Sequence, residues 1–168
     1  MTDEDQPGEM PEPEENNPAS QAMPYWERLI EDMEVTAEEY RDRGWKAVEV
    51  HPGDVSVFPG EQGRRGIELL APDNEFDPLA EAFDEAEGFD SGEVYRASEN
   101  SVLYFLVVME DERAEVVILL PAYYNHRTET DFVEMLQSAS DVPIHVRPLN
   151  ERRILTFAQK DPSLFLPE

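Results

Sequence analysis

The densest grouping of chemically capable side chains is Tyr123-Tyr124-Asn125-His126-Arg127. It follows a long apolar run and precedes a helical pattern. At such a junction a ligand can meet side chains together with free backbone N–H groups. His126 suits general-base work near neutral pH, and Arg127 suits a two-pronged grip on a carboxylate or phosphate. Tyr124, His126 and Arg127, with His51, are therefore the candidate ligand-binding residues. A plainer account competes and is the better supported of the two. Asp131, one turn beyond Arg127, can pair with it locally, and Tyr123 can simply pack. Function would require these groups to converge in space, which spacing alone does not establish.

The other chemical signatures are thin. His51, His126 and His145 are the three histidines, each near a strand end or start. Three imidazoles and a carboxylate can bind zinc, but no HExxH or other close ligand pair is present. No metal centre and no cofactor is expected. There is no GxSxG for a serine nucleophile. Pro59 to Gly66 (PGEQGRRG) has the glycines of a phosphate loop without its Lys-Ser/Thr, and no helix follows. Arg64-Arg65 and Arg152-Arg153 are the adjacent basic pairs. Gathered at one end of a sheet they would make a small positive spot for an anion or an acidic partner; apart, they balance neighbouring acids. Carboxylates are too numerous for any one pair to stand out as a catalytic couple.

Charge narrows the function classes further. The chain of 168 residues has 39 acidic and 13 basic residues, a formal charge of −26. Acids run along its whole length and lysine is confined to Lys46 and Lys160, a pattern that points to solvation in a salt-rich cytoplasm where self-repulsion is screened. An acidic surface aimed at a basic partner is the other reading. Direct binding to a nucleic-acid backbone needs a positive footprint and is not expected. No run of 18 apolar residues suggests a membrane span, and no signal peptide is visible, so a cytoplasmic location is expected. Cysteine is absent, which removes disulfides and thiolate chemistry.

The elements that would position these groups follow from hydrophobic period. Met1 to Met23, with seven acids, four prolines and no basic residue, reads as a disordered acidic tail. Residues 24–168 read as a single α+β domain. A helix opens at Pro24, with Trp26, Leu29, Met33, Ala37 and Tyr40 on one face and Gly44 at its end. Three short strands follow, over 45–50, 55–58 and 66–70. A second helix carries Phe76, Leu79, Ala80 and Phe83 behind a cap at Asp73 or Asn74. Glu93 to Leu120 then gives three strands, the middle one (Val102 to Met109) almost continuously apolar and so central or covered on both faces. A third helix places Phe132, Met135, Leu136 and Ala139 on one face, with Thr128 and Asp131 in a capping-box spacing. Two final strands cover 144–146 and 154–157.

The expected fold is α+β: a strongly curved, mainly antiparallel sheet of about eight strands with three packed helices. Hairpins recur at AVEVHPGDVSVF, EVYRASENSVLYF and IHVRPLNERRILTF, the first two followed by a strand and a helix. A duplicated strand–strand–strand–helix unit accounts for this rhythm, as does chance likeness among hairpins.

The acidic leader, PYWERLIEDMEVTAEEYRDRGWKAVEVHPGDVSVF and YFLVVMEDERAEVVILLPAYY together resemble a family of small uncharacterised acidic proteins from halophilic archaea. The resemblance covers about residues 24 to 160, and the helix-to-GW-to-HPGDV segment is its most distinctive part. It implies salt adaptation and carries over no activity, cofactor or catalytic residue. The expected function is a protein-interaction, accessory or regulatory module without catalysis, through a protein partner or self-association. The alternative is a small-molecule or anion binder, or an enzyme, using the Tyr124–Arg127 corner.

Overall fold

A computed structural model gives the structure of residues 18–60, 64–89 and 91–167. Among these residues three α-helices and eight strands make an α+β fold, with the strands in two mixed sheets. The helices are α1 (Pro18–Asp42), α2 (Asp73–Glu85) and α3 (Thr130–Ser138). The strands are β1 (Lys46–Glu49), β2 (Asp54–Pro59), β3 (Arg65–Leu70), β4 (Ser91–Glu99), β5 (Val102–Asp111), β6 (Val116–Asn125), β7 (Val142–Arg147) and β8 (Leu155–Gln159). The first sheet has the order β1-β6-β5-β4 and the second β2-β3-β7-β8. Four of the six pairings are antiparallel; β1–β6 and β3–β7 are parallel.

The apolar run of β5 lies inside the first sheet, buried on both faces. Alternation along the strand divides its side chains. Leu106 and Val108, with Val117 and Leu119 of β6, receive Met33, Ala37 and Tyr40 of α1. Leu103, Phe105, Val107 and Met109 face the other way, into a core shared with Ile67, Leu69, Ile144, Val146, Leu155 and Phe157 of the second sheet and with Phe76 and Leu79 of α2. The order is thus helix, sheet, sheet. Each large apolar side chain removed from water here contributes about 1.5–3 kcal/mol before entropy is subtracted.

One predicted hairpin does not form. AVEVHPGDVSVF was expected to fold back on itself, but the Val50 N–H bonds the Leu119 carbonyl and the Gly53 N–H bonds that of Leu70. The chain crosses between sheets at His51-Pro52-Gly53. The apolar side of the short strand β1 is satisfied by the long apolar strand β6, and β2 pairs with β3 instead. The proposed repeat is broken at this point, because β4 does pair with β5.

Helix ends differ from the sequence reading too. α1 starts at Pro18, inside the stretch read as a tail, and residues 1–17 of that stretch lie outside the described residues. Gly44 ends α1 with φ +88°. Neither α2 nor α3 has a side-chain cap: Pro72 precedes α2 and offers its carbonyl to the Glu75 and Phe76 N–H groups. Glu129 precedes α3, and the Thr128 hydroxyl bonds the Asn125 carbonyl rather than the helix N-terminus. Gly66, at φ +113°, lets β3 approach β7; a Cβ there would lie 2.1 Å from the Pro143 carbonyl oxygen.

The C-terminal segment is tied down. Phe165 is fully buried, Arg96 of β4 donates to the Leu164 and Leu166 carbonyls at 2.8 and 2.7 Å, and the Tyr124 hydroxyl donates to the Phe165 carbonyl at 2.6 Å. Asp111, 4 % exposed at the end of β5, accepts the N–H groups of Glu87, Gly88, Arg113 and Ala114. Its burial alone would raise its pKa; the four donors outweigh that and hold it below the usual carboxylate range.

Candidate functional site

The corner nominated by sequence comes apart in space. Tyr124 belongs to the core, stacked on Phe105 at 5.9 Å and edge-on to Phe132 at 5.0 Å. Burial first of all pushes its hydroxyl well above the usual tyrosine range, and that hydroxyl is engaged by Phe165. Arg127 is exposed, and its backbone N–H bonds the Asn125 side chain. His126 alone of the three lines a cavity, of about 290 Å3, with Arg96, Ser98, Asn100, Leu103 and Pro167 among its walls. Arg96 is committed there to two carbonyls.

His51 does not join them. It follows β1, whose pairing with β6 ends at Glu49 and Leu119, and its ring faces Glu75, Glu34 and Glu49. His145 stands apart on the solvent side of the second sheet. Its Nε2 donates to the Arg65 carbonyl at 2.9 Å, which leaves Nδ1 to accept from the Thr156 hydroxyl at 2.9 Å.

The arginine pairs are also dispersed, each toward acids of this chain. Arg64 bonds Glu68 and lies 3.2 Å from Glu151; Arg65 bonds Asp141 at 2.7 Å. Arg152 and Arg153 reach across to α2, at 2.6 Å from Asp77 and Asp84 respectively. They do not make one positive spot. Glu68 is the anchor of the first group, 7 % exposed and gripped by both Arg64 and Arg147. Burial alone would raise its pKa, but Arg147 and then Arg64 hold it below the usual range.

The structure assembles a cluster that spacing did not nominate. His51 Nδ1 lies 2.6 Å from Glu75 Oε2, and the His51 backbone N–H donates to Glu75 Oε1 at 2.7 Å. Because a carboxylate only accepts, Nδ1 carries the proton. Nε2 faces Glu34 Oε2 at 3.5 Å and Glu49 Oε1 at 4.0 Å. Glu34 comes from the exposed face of α1, Glu49 from the end of β1, and Glu75 from the first turn of α2. Glu49 and His51 share a side because they are two residues apart in extended chain. The outer oxygen of Glu49 is held by Arg41 at 2.9 Å, and Arg41 also donates to the Ala47 carbonyl. Partial burial would lower the His51 pKa; the Glu75 hydrogen bond and charge, followed by Glu34 and Glu49, outweigh it and hold it above the usual imidazole value. One nitrogen and two carboxylate oxygens, all within 4.8 Å of one another, are donor atoms of the kind that hold a metal.

The sequence contains Glu49-Val50-His51 in plain view, but with 39 acids such a pair has no contrast. Glu34 and Glu75 lie far from it along the chain, and only the fold brings them in.

The chain belongs to a family of unknown function (DUF7529), whose model matches residues 13–167. No curated protein and no solved structure matches it.

Proposed function

We propose that this domain works without catalysis, as an accessory or regulatory module that holds a partner protein in the salt-rich cytoplasm of a halophilic archaeon. The observation that carries the reading is the β7–β8 hairpin. Leu149 is 76 % exposed and Ile154 is 37 % exposed on this one hairpin, while Arg152 and Arg153 between them are turned onto the acids of α2. Apolar side chains with their adjacent charges already neutralised suit contact with an apolar site on another protein. The even spread of acid supports the salt-rich setting, and the charge of −26 argues against direct contact with nucleic acid.

The test is capture from a high-salt lysate, with wild type beside Leu149→Glu and Ile154→Glu. A specific partner, or a second copy, is expected with wild type and lost from both variants. No reproducible partner, or equal capture by all three, sinks the reading.

A second reading has its own observation. The cavity beside His126 is polar, and Arg96 and Ser98 share it. On this reading the corner binds a small anion without Tyr124 or Arg127. Titration with phosphate and acetate should then move the His126 ring resonances; a ring unmoved at millimolar anion ends it.

A further inference from the structure

We propose that Glu34, Glu49 and His51 are the ligands of a first-row divalent metal site of the zinc type, with Glu75 as the residue that positions His51. The argument turns on what Nε2 faces. Nδ1 donates to Glu75, which leaves Nε2 facing two carboxylate oxygens. Three donor atoms within 4.8 Å of one another can hold an electrophile between them, either a proton on Nε2 or a cation. A proton suits the geometry poorly: 3.5 and 4.0 Å both exceed the range of about 2.7–2.9 Å for a charge-assisted hydrogen bond. A metal suits it well. Bonds of about 2.0–2.1 Å in a tetrahedron separate neighbouring ligand atoms by about 3.3–3.5 Å. The 3.5 Å edge already has that length; the 4.0 Å edge and the Glu34–Glu49 edge, which is within 4.8 Å, close by an inward turn of Glu49.

The surroundings have the form that metal ligands need. A ligating imidazole characteristically donates its other N–H to a carboxylate, and Glu75 does this while being fixed by the His51 N–H. Glu49 is oriented from behind by Arg41, which leaves Oε1 for the metal. Carboxylates outnumber the single guanidinium, so a divalent charge is balanced. The ligands come from α1, from the end of β1 and from the crossing that leads to β2, and the positioning residue comes from α2. An ion there joins the outer helix to the sheet it covers. Three protein ligands leave one position open to water or to a ligand oxygen. One nitrogen with two oxygens, and no sulfur, favours zinc or manganese over magnesium, which prefers an all-oxygen octahedron.

A chain this acidic binds cations loosely over its whole surface, so the test must separate one site from many. The chelator-treated full-length protein is titrated with zinc chloride in high potassium chloride, alone and with excess magnesium, and the His51 ring nitrogens are followed by NMR. The expected result is one saturable ion per chain that magnesium does not displace, with Nε2 shifted. Glu34 is more than half exposed, so Glu34→Gln keeps the fold and should weaken binding about tenfold or more. His51→Gln should remove the saturable phase. Glu75→Gln retains all three ligands and should weaken binding by about 10–100-fold. Zinc uptake without a single saturable phase overturns the proposal. So does equal affinity in Glu34→Gln and wild type, or binding that leaves Nε2 unmoved.

Discussion

His51 and His126 are both half-buried histidines beside a core strand, yet their settings differ in kind. Around His126 the nominated neighbours are adjacent in the chain and face different ways: Tyr124 into the core, Arg127 to solvent, His126 into a cavity with Arg96. Around His51 the neighbours come from three elements, and two of the carboxylates have a partner that holds them in place. β6 ends at Asn125, so Tyr124 is held on the strand while His126 and Arg127 lie in the turn that follows, and the run of capable side chains is split at the strand end. A site assembled from separate elements is free of that constraint.

Five measurements can break or sharpen this contrast. Tyr124→Ala should cost about 3–5 kcal/mol by leaving a hole against Phe105 and Phe132, measured by chemical denaturation. A loss under 1 kcal/mol would restore Tyr124 as a site residue. Asp111→Asn, a carboxylate with fixed donors remote from either histidine, should cost about 1.5–3 kcal/mol. Acid should act in the same direction. Asp111 and Glu68 both have folded pKa values below their unfolded ones, near about 4, so their contribution is full above that pH and is lost as pH falls through the folded values. Stability that stays flat below pH 4 in the wild type would contradict both assignments. In metal-free protein Glu75→Gln should cost about 1–2 kcal/mol, since it weakens the tie between α2 and the β1–β2 crossing. Smallest of all, His126→Ala and Arg127→Ala should each stay within about 0.5 kcal/mol of wild type. A larger loss would mean that the corner is more tightly built than the contacts imply.

How much of this was legible in advance differs by region. β5 announced itself, because the unbroken apolar run from Val102 to Met109 has few other places to go. The face of α1 from Met33 to Tyr40 was legible for a like reason, its 3.6-residue period being unambiguous. The partner of β1 was not. A four-residue strand pairs equally well on paper with the strand that follows it, and the choice of β6 depends on burial that only the finished sheet supplies. The cluster at His51 was hidden by abundance: an acid seldom stands out among acids, and Glu34 is one of several on the exposed face of α1. The arginines were misleading in the opposite sense. Two adjacent positive charges suggested a patch, but each had a closer acid of its own.

The parallel pairing of β1 with β6 has a consequence in time. Lys46 through Glu49 meet Val116 through Leu119, and Ile67 through Leu70 meet Ile144 through Arg147, so β1 lacks its partner, and β3 its second one, until about seventy residues more have been made. During synthesis α1 and β1 must wait with their apolar sides uncovered while β4, β5 and β6 form their local meander. That meander has the local contacts that favour early formation, and adding β1 to it carries the larger loop-closure cost. The dense charge of the early segment keeps like segments of neighbouring nascent chains apart through that interval.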